Sequence, residues 1–231
     1  MWLRNPRFQR MIGGGRLELL SVGVLARLEI LGMRAHKDTE LIRLIRKVRR
    51  ERRSLLTGNE ACLVHTLARG QRNRDGHMAE VGAYQGASAK LICEAKGDVP
   101  LHLFDTFTGL PKSVAEDKNV HREHQYACSL ESVQGYLANY PHVTLYPGRF
   151  PDTAGPVANE RFSFVHIDVD LYESTLGCLN FFYPRLVPGG ILLSHDYSLL
   201  AGVRLAFDQF LADKPEDLIE LPTTQCMIVK L

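Results

Sequence analysis

Three short segments of this 231-residue chain carry side chains that could act together. In "FVHIDVDLYEST", Phe164–Thr175, an apolar run ends in two aspartates one residue apart, Asp168 and Asp170. In "SHDY", a second apolar run ends in Ser194, His195, Asp196 and Tyr197. In "LFDTFTGLP", Leu103–Pro111, a third ends in Asp105. Carboxylates are costly in a buried strand unless something pairs with them. Strand residues at i and i+2 face one way, so His166, Asp168 and Asp170 share a side if the strand persists that far. Adjacent parallel strands would bring Asp168 and Asp196 together. Two carboxylates in one small space repel unless a proton or a cation intervenes. A Mg²⁺ held by oxygens meets that need. It could polarise a substrate hydroxyl and ease its deprotonation, with Asp168 or Asp170 taking the proton. The competing reading is that Asp168 and Asp170 cap a helix starting near Ser174.

The elements that must position these groups alternate along the chain. "HMAEVGAY", "PLHLFDTF", "HVTLYPG", "RFSFVHIDVD" and "GILLSHDY" read as strands. "GASAKLICEA", "SLESVQGYLANY", "STLGCLNFFYPRL" and "GVRLAFDQFLAD" read as helices, the third stopped by Pro188-Gly189-Gly190. "LIELPTTQCMIVKL" reads as two strands turning at Pro222. Strands alternating with helices imply a parallel sheet with right-handed crossovers. The closing pair has no room for a crossover helix and must be antiparallel. Such sheets bind ligands at the carboxyl ends of their strands, where all the groups above converge.

"EVGAYQGAS", Glu80–Ser88, is a glycine-bearing turn between the first strand and its helix. Gly82 and Gly86 let backbone approach a ligand closely. The turn is neither a Walker A loop nor a GxGxxG fingerprint. Glu80 would repel a pyrophosphate and suit a cationic ligand. Asp105 sits where an acidic residue takes the ribose hydroxyls of a nucleoside cofactor. "HREH", His121–His124, lacks further metal ligands nearby and reads as part of a polar loop, Lys112–Tyr126, covering the site.

Composition narrows the class. The five cysteines lie at least 31 positions apart, so there is no CxxC pattern, and a reducing, cytoplasmic setting is expected. Residues 1–60 hold 14 Lys and Arg against 6 Asp and Glu, and the remainder is net acidic. The basic run "RLIRKVRRERRS" reads as the solvated face of a helix with Leu41, Ile42, Ile45, Val48 and Leu55 as its apolar stripe. A nucleic-acid partner is not expected. "LELLSVGVLARLEILGM", Leu17–Met33, is interrupted by charges and falls short of a membrane span. It leaves room for peripheral membrane contact, but a packing or homodimer helix is the preferred expectation. The opening "MWLRNPRFQR" lacks the apolar core and cleavage site of a signal peptide.

Taken together, "EVGAYQGAS", "LFDTFTGLP", "GRFPDT", "HIDVDLYEST" with "FFYPRLVPGG", and "SHDY" resemble the macrocin O-methyltransferase family of S-adenosylmethionine (SAM) enzymes. The resemblance runs from about Glu60 to Asp208. It implies a Rossmann-like sheet of seven strands, mostly parallel, with a C-terminal antiparallel strand. It implies methyl transfer from SAM to a hydroxyl of a small molecule, often on a sugar of a natural product, usually with Mg²⁺. Carried over by position, Glu80, Gly82, Tyr84, Gly86 and Ser88 border the methionine part of SAM. Asp105 takes the ribose, and Gly148 and Phe150 lie near the adenine. Asp168 and Asp196 become metal ligands. The family has two adjacent acids before the tyrosine, whereas this chain has His195-Asp196. His195 then either ligates, suiting Mn²⁺ or Fe²⁺, or acts as a base without metal, or marks weak metal binding.

The expected layout is an N-terminal helical extension, 1–60, and a methyltransferase domain, 61–231. Two other classes compete. "DVD" fits the DxD motif of a metal-dependent glycosyltransferase, though it leaves Glu80 and the glycine turn without a role. His195 in place of an acid also fits a non-catalytic SAM-binding accessory protein.

Overall fold

The computed structural model describes residues 4–12 and 16–231, with side chains for 4–10 and 20–231. Residues 1–3 of the opening segment read for a leader lie outside the described residues. Seven strands form one sheet: β1 (His77–Val81), β2 (Leu101–Asp105), β3 (Val143–Pro147), β4 (Phe162–Ile167), β5 (Leu186–Ser194), β6 (Ile219–Glu220) and β7 (Cys226–Val229). Their order is β3-β2-β1-β4-β5-β7-β6. Strands β1 to β5 are parallel, and β7 runs antiparallel to both β5 and β6. The expected mostly parallel sheet with an antiparallel end is therefore present. Strand order reverses between β1 and β4, and a crevice opens there beyond the strand ends.

Strand alternation divides the core. Met78, Leu101, Leu103, Phe164 and Leu193 face one side, against α3 (Thr39–Glu51), α4 (Gly58–Gln71) and α5 (Ala87–Ala95). Ala79, Val81, Phe104, Phe162 and Leu192 face the other, against α7 (Tyr172–Phe182) and α8 (Ala201–Leu211). Each fully buried Phe contributes about 2–3 kcal/mol of transfer free energy. The remaining helices are α1 (Pro6–Ile12), α2 (Arg16–Met33) and α6 (Leu130–Leu137). Among the described residues, no helix is long and apolar enough to cross a membrane.

The basic helix α3 behaves as a solvated amphipathic element. Leu41, Ile42, Ile45 and Val48 are buried. Leu55 lies beyond the helix end, and Leu56 takes the buried position instead. Its basic flank is used internally. The Arg52 guanidinium donates to the Ser132 hydroxyl at 2.8 Å and stacks 4.4 Å over Tyr136, while Lys90 pairs with Glu51 at 2.7 Å.

Two boundaries differ from expectation. Pro188-Gly189-Gly190 does not follow a helix but lies inside β5, where the β4–β5 register shifts between Phe162 and Phe164. The helix has already ended at Phe182, and a 3₁₀ turn over Tyr183–Arg185 follows it. Strand β4 also ends at Ile167, so strand alternation does not carry on to Asp170. Asp170 instead adopts φ 61°, in the left-handed region, as does Asp196 with φ 60°. Left-handed backbone at non-glycine residues gathers at functional sites.

Candidate active site

The ends of β1, β2, β4 and β5 open into a cavity of about 630 Å³. Gly82, at φ 94°, allows it to form: a Cβ there would fall 1.8 Å from the Asp168 carbonyl oxygen. The backbones after β1 and β4 touch only because residue 82 has no side chain.

At one end of the cavity stands Asp105. Its carboxylate accepts N–H groups from Tyr84 and Phe107, each at 2.7 Å. Tyr84 and Phe107 reach it through left-handed backbone, φ 45° and 56°. Burial raises the Asp105 pKa, partly offset by these two donors. Gly86, at φ 79°, precedes α5, and Ser88 sits in its first turn on the cavity wall. Gly148 and Phe150 line the same space. Phe150 is also part of the core, stacked on Phe182 at 5.1 Å and edge-on to Phe104 at 5.0 Å.

Two of the expected cofactor residues do not line the cavity. Gly86 is buried and faces Val133, Tyr136 and Leu137 of α6. The other is Glu80. It is in register with His166 across β1 and β4, so both side chains point the same way. They meet at 2.8 Å and are fully buried. Glu80 therefore lies beneath the cavity, where its carboxyl group faces His166, and does not line the wall.

At the other end, Asp168, Asp170, His195 and Asp196 meet around the cavity. His195 Nδ1 lies 2.8 Å from Asp196 Oδ2 and 3.5 Å from Asp168 Oδ1. Its Nε2 lies 3.4 Å from Glu60 Oε2. Burial alone would lower the His195 pKa, but Asp196, Asp168 and Glu60 overcome it and hold the ring well above its ordinary value. Burial pushes Asp168 up. Burial together with Asp196 and Asp168 pushes Asp170 up much further. Asp196 goes the other way, because His195 outweighs its burial. Asp170 is thus the carboxyl of the cluster most disposed to keep a proton, and Asp196 the one most disposed to ionise.

One ligand atom each from Asp168, His195 and Asp196 lies within 4.8 Å of the others. Such a set of two oxygens and one nitrogen fits a divalent cation. Neither Asp168 nor Asp170 caps α7. That role belongs to Asp117, whose Oδ1 accepts the Tyr172 N–H at 2.7 Å and whose Oδ2 accepts the Val114 N–H at 2.9 Å.

Several residues of the site were not found from sequence. Glu60, in the first turn of α4, closes a capping box with Thr57 and also accepts from Thr224. The Thr57-x-x-Glu60 pattern signals the cap but not the contact with His195, 135 positions away. Helices α1 and α2 supply Phe8, Gln9, Val22 and Leu25 to the cavity wall. The loop before α6 adds Val120, His121, Gln125 and Tyr126, as the covering-loop reading expected.

Comparison with known proteins agrees with this geometry. The chain is 32% identical over 140 residues to an 8-demethyl-8-(2,3-dimethoxy-alpha-L-rhamnosyl)-tetracenomycin-C 4'-O-methyltransferase of Streptomyces olivaceus, covering 54% of each chain. It is 32% identical over 144 residues to a mycinamicin III 3''-O-methyltransferase of Micromonospora griseorubida, covering 54% of this chain and 57% of that protein. The chain thus spans about half the length of these curated relatives. The solved O-methyltransferase NovP superposes with a TM-score of 0.68 at 25% identity, over 77% of this chain and 81% of that one. The TomG O-methyltransferase, solved with SAM, shares the fold at 18% identity and a TM-score of 0.60, over 90% of this chain and 98% of that one. The sequence profile of the macrocin-O-methyltransferase (TylF) family matches residues 61–225, and the chain belongs to that family.

Proposed function

We propose that the chain is a SAM-dependent O-methyltransferase acting on a hydroxyl of a small molecule, a sugar or glycosylated natural product, with help from a divalent cation. The observation that carries this reading is a single cavity with two chemically distinct ends. A carboxylate fixed by backbone donors, Asp105, stands at one end, and the Asp168, Asp170, His195 and Asp196 cluster stands at the other. Family membership supports it and leaves the DxD glycosyltransferase reading without support.

SAM brings an electrophilic methyl group on a sulfonium. Asp105 accepts the ribose hydroxyls. Gly82, Tyr84 and Ser88 border the methionine portion, with Gly86 shaping the turn that presents them, and Gly148 and Phe150 flank the adenine. Holding oxygen, carbon and sulfur in line is positioning work, worth several kcal/mol of barrier. Asp168, His195 and Asp196 are the residues that would hold a cation, which would lower the pKa of a coordinated hydroxyl. Asp170, lying against Asp196, is placed to take the acceptor proton in its carboxylate form. Phe8, Val22 and Leu25 give the acceptor side an apolar wall.

In this reading residues 1–60 form a helical extension closing the acceptor side, and residues 61–231 form the cofactor-binding domain. The protein works in the cytoplasm. It pairs as a homodimer through α2, whose Leu20, Val24, Leu28 and Leu31 are exposed; sedimentation as a monomer at micromolar concentration would remove that part.

Calorimetric titration with SAM and S-adenosylhomocysteine tests the core of the proposal. Binding that is lost in Asp105→Ala is expected. Absence of binding to either compound would overturn it. Binding without transfer to any glycoside offered would favour the accessory-protein reading.

A further inference from the structure

The cation-binding cluster contains a nitrogen where an all-oxygen site would have a carboxylate. His195 is more than nine-tenths buried. Its Nδ1 lies close to Asp196 and Asp168, yet makes no aligned hydrogen bond with either. A buried ring nitrogen aimed at two carboxylates without a bond is an incomplete polar group. A cation accepting its lone pair would complete it.

The opposite ring nitrogen, Nε2, lies 3.4 Å from Glu60 Oε2, also without an aligned hydrogen bond, and Glu60 is itself held in place. Its Oε2 accepts the Thr57 N–H at 2.8 Å. Its Oε1 accepts the Thr224 hydroxyl at 2.5 Å and the Thr224 N–H at 3.2 Å. The residue is 2% exposed. A carboxylate placed behind an imidazole keeps the proton on the nitrogen facing it, and makes the other nitrogen a better donor to a metal.

We propose that Glu60 and His195 make this centre a mixed nitrogen–oxygen site that takes a first-row transition cation in preference to Mg²⁺. Glu60 is a positioning residue in this scheme, keeping His195 Nδ1 turned toward Asp168 and Asp196. Mg²⁺ is a hard cation that prefers oxygen donors in near-ideal octahedral geometry. Imidazole shifts selection toward Fe²⁺, Co²⁺ and Zn²⁺. The inference rests on the methyltransferase reading only for the purpose of the cation, so cation binding is measured without SAM or acceptor.

The full chain, stripped with chelator and desalted, is titrated separately with Co²⁺ and Mg²⁺ by calorimetry, and the Co²⁺ adduct is recorded in the visible region. Co²⁺ is expected to bind at least about tenfold more tightly than Mg²⁺, a difference of about 1.4 kcal/mol. His195→Asp is expected to narrow that ratio and shift the Co²⁺ bands. Glu60→Gln is expected to weaken Co²⁺ binding by about 10- to 100-fold and to change the bands while the far-ultraviolet circular dichroism holds. A purely structural role for Glu60 would not move the bands of a folded protein. If Glu60→Gln does not fold, Thr224→Val removes one anchor of Glu60 and should give the same change in smaller measure. Equal affinities for the two cations, a ratio unmoved in His195→Asp, or no cation bound by the folded protein would each overturn the proposal. A parallel SAM titration separates the two ideas. SAM binding without cation selectivity sinks this inference alone, and selectivity without SAM binding sinks the methyltransferase reading alone.

Discussion

Gly82 and Asp168 meet backbone to backbone, with no space between them for even one methyl group. That contact sets how far apart the ends of β1 and β4 stand. It therefore fixes the distance between the cofactor turn and the carboxylate cluster. Gly82→Ala adds a methyl group at a left-handed position and drives it into the Asp168 carbonyl. We expect a loss of about 3 kcal/mol or more, read as a fall in denaturation midpoint, together with loss of SAM binding. A variant that keeps both would show that the two strand ends can part freely.

Asp117 links the covering loop to α7 through two backbone hydrogen bonds, and it is 6% exposed. Asp117→Ala leaves the Tyr172 and Val114 N–H groups without partners. A loss of about 1–2 kcal/mol is expected. Hydrogen exchange should rise in residues 108–128 and in the first turn of α7 before it rises elsewhere. Uniform exchange across the sheet would contradict this local role.

Asp170 is assigned to proton exchange with the acceptor and lies away from Asp105 at the other end of the cavity. Asp170→Asn should lower methyl transfer by about 10²- to 10⁴-fold, measured on the first glycoside that the wild-type protein methylates. SAM affinity should stay within about twofold, a difference of under about 0.5 kcal/mol. Equal loss of SAM binding would move Asp170 from chemistry to cofactor binding.

A second titrating group lies near the start of β2, outside the cavity lining. His102 Nε2 is 2.9 Å from His77 Nδ1, and His102 Nδ1 is 3.0 Å from the Tyr146 hydroxyl. Burial first, and His77 second, lower its pKa to about 4. The unfolded chain takes up this proton near 6.5. The folded state therefore favours neutral His102, and its stabilising effect is complete above about pH 6.5 and lost as pH falls toward about 4. The urea midpoint should drop between pH 7.5 and pH 5. His102→Gln should make that drop shallower; an unchanged slope would assign the pH dependence to other groups.

The sheet was legible because each strand is a short apolar run bounded by turn residues, and because the antiparallel end follows from a connection too short for a crossover. The cluster at the strand ends was legible for the same reason: in such a sheet, residues ending separate runs must converge. Glu80 was misplaced because a sequence gives the end of a strand but not the side its residue faces. Its partner His166 is 86 positions away and is brought opposite only by strand register. Asp170 reaches the cavity through a left-handed turn that no periodicity announces. Glu60 carried a recognisable local signal, the capping box, but a carboxylate with a complete local explanation gives no reason to seek a second task for it. The wall from α1 and α2 was invisible because apolar helix residues look alike whether they face a core or a ligand.

Helix α1 is fastened to the segment that follows Asp196. Gln9 donates to the Leu199 carbonyl at 2.8 Å, and the Arg4 guanidinium, just ahead of the helix, donates to the Ser198 carbonyl at 2.7 Å. Each such bond contributes on the order of 1 kcal/mol. If α1 moves away, Ser198 and Leu199 lose these two bonds, and the segment is left with its own turn on the Asp196 carbonyl and the Ser198 N–H bond to Thr224. One short helix near the start of the chain is thus moored to the loop that carries a carboxylate of the cluster, so a change that loosens the mooring reaches the cluster through two bonds.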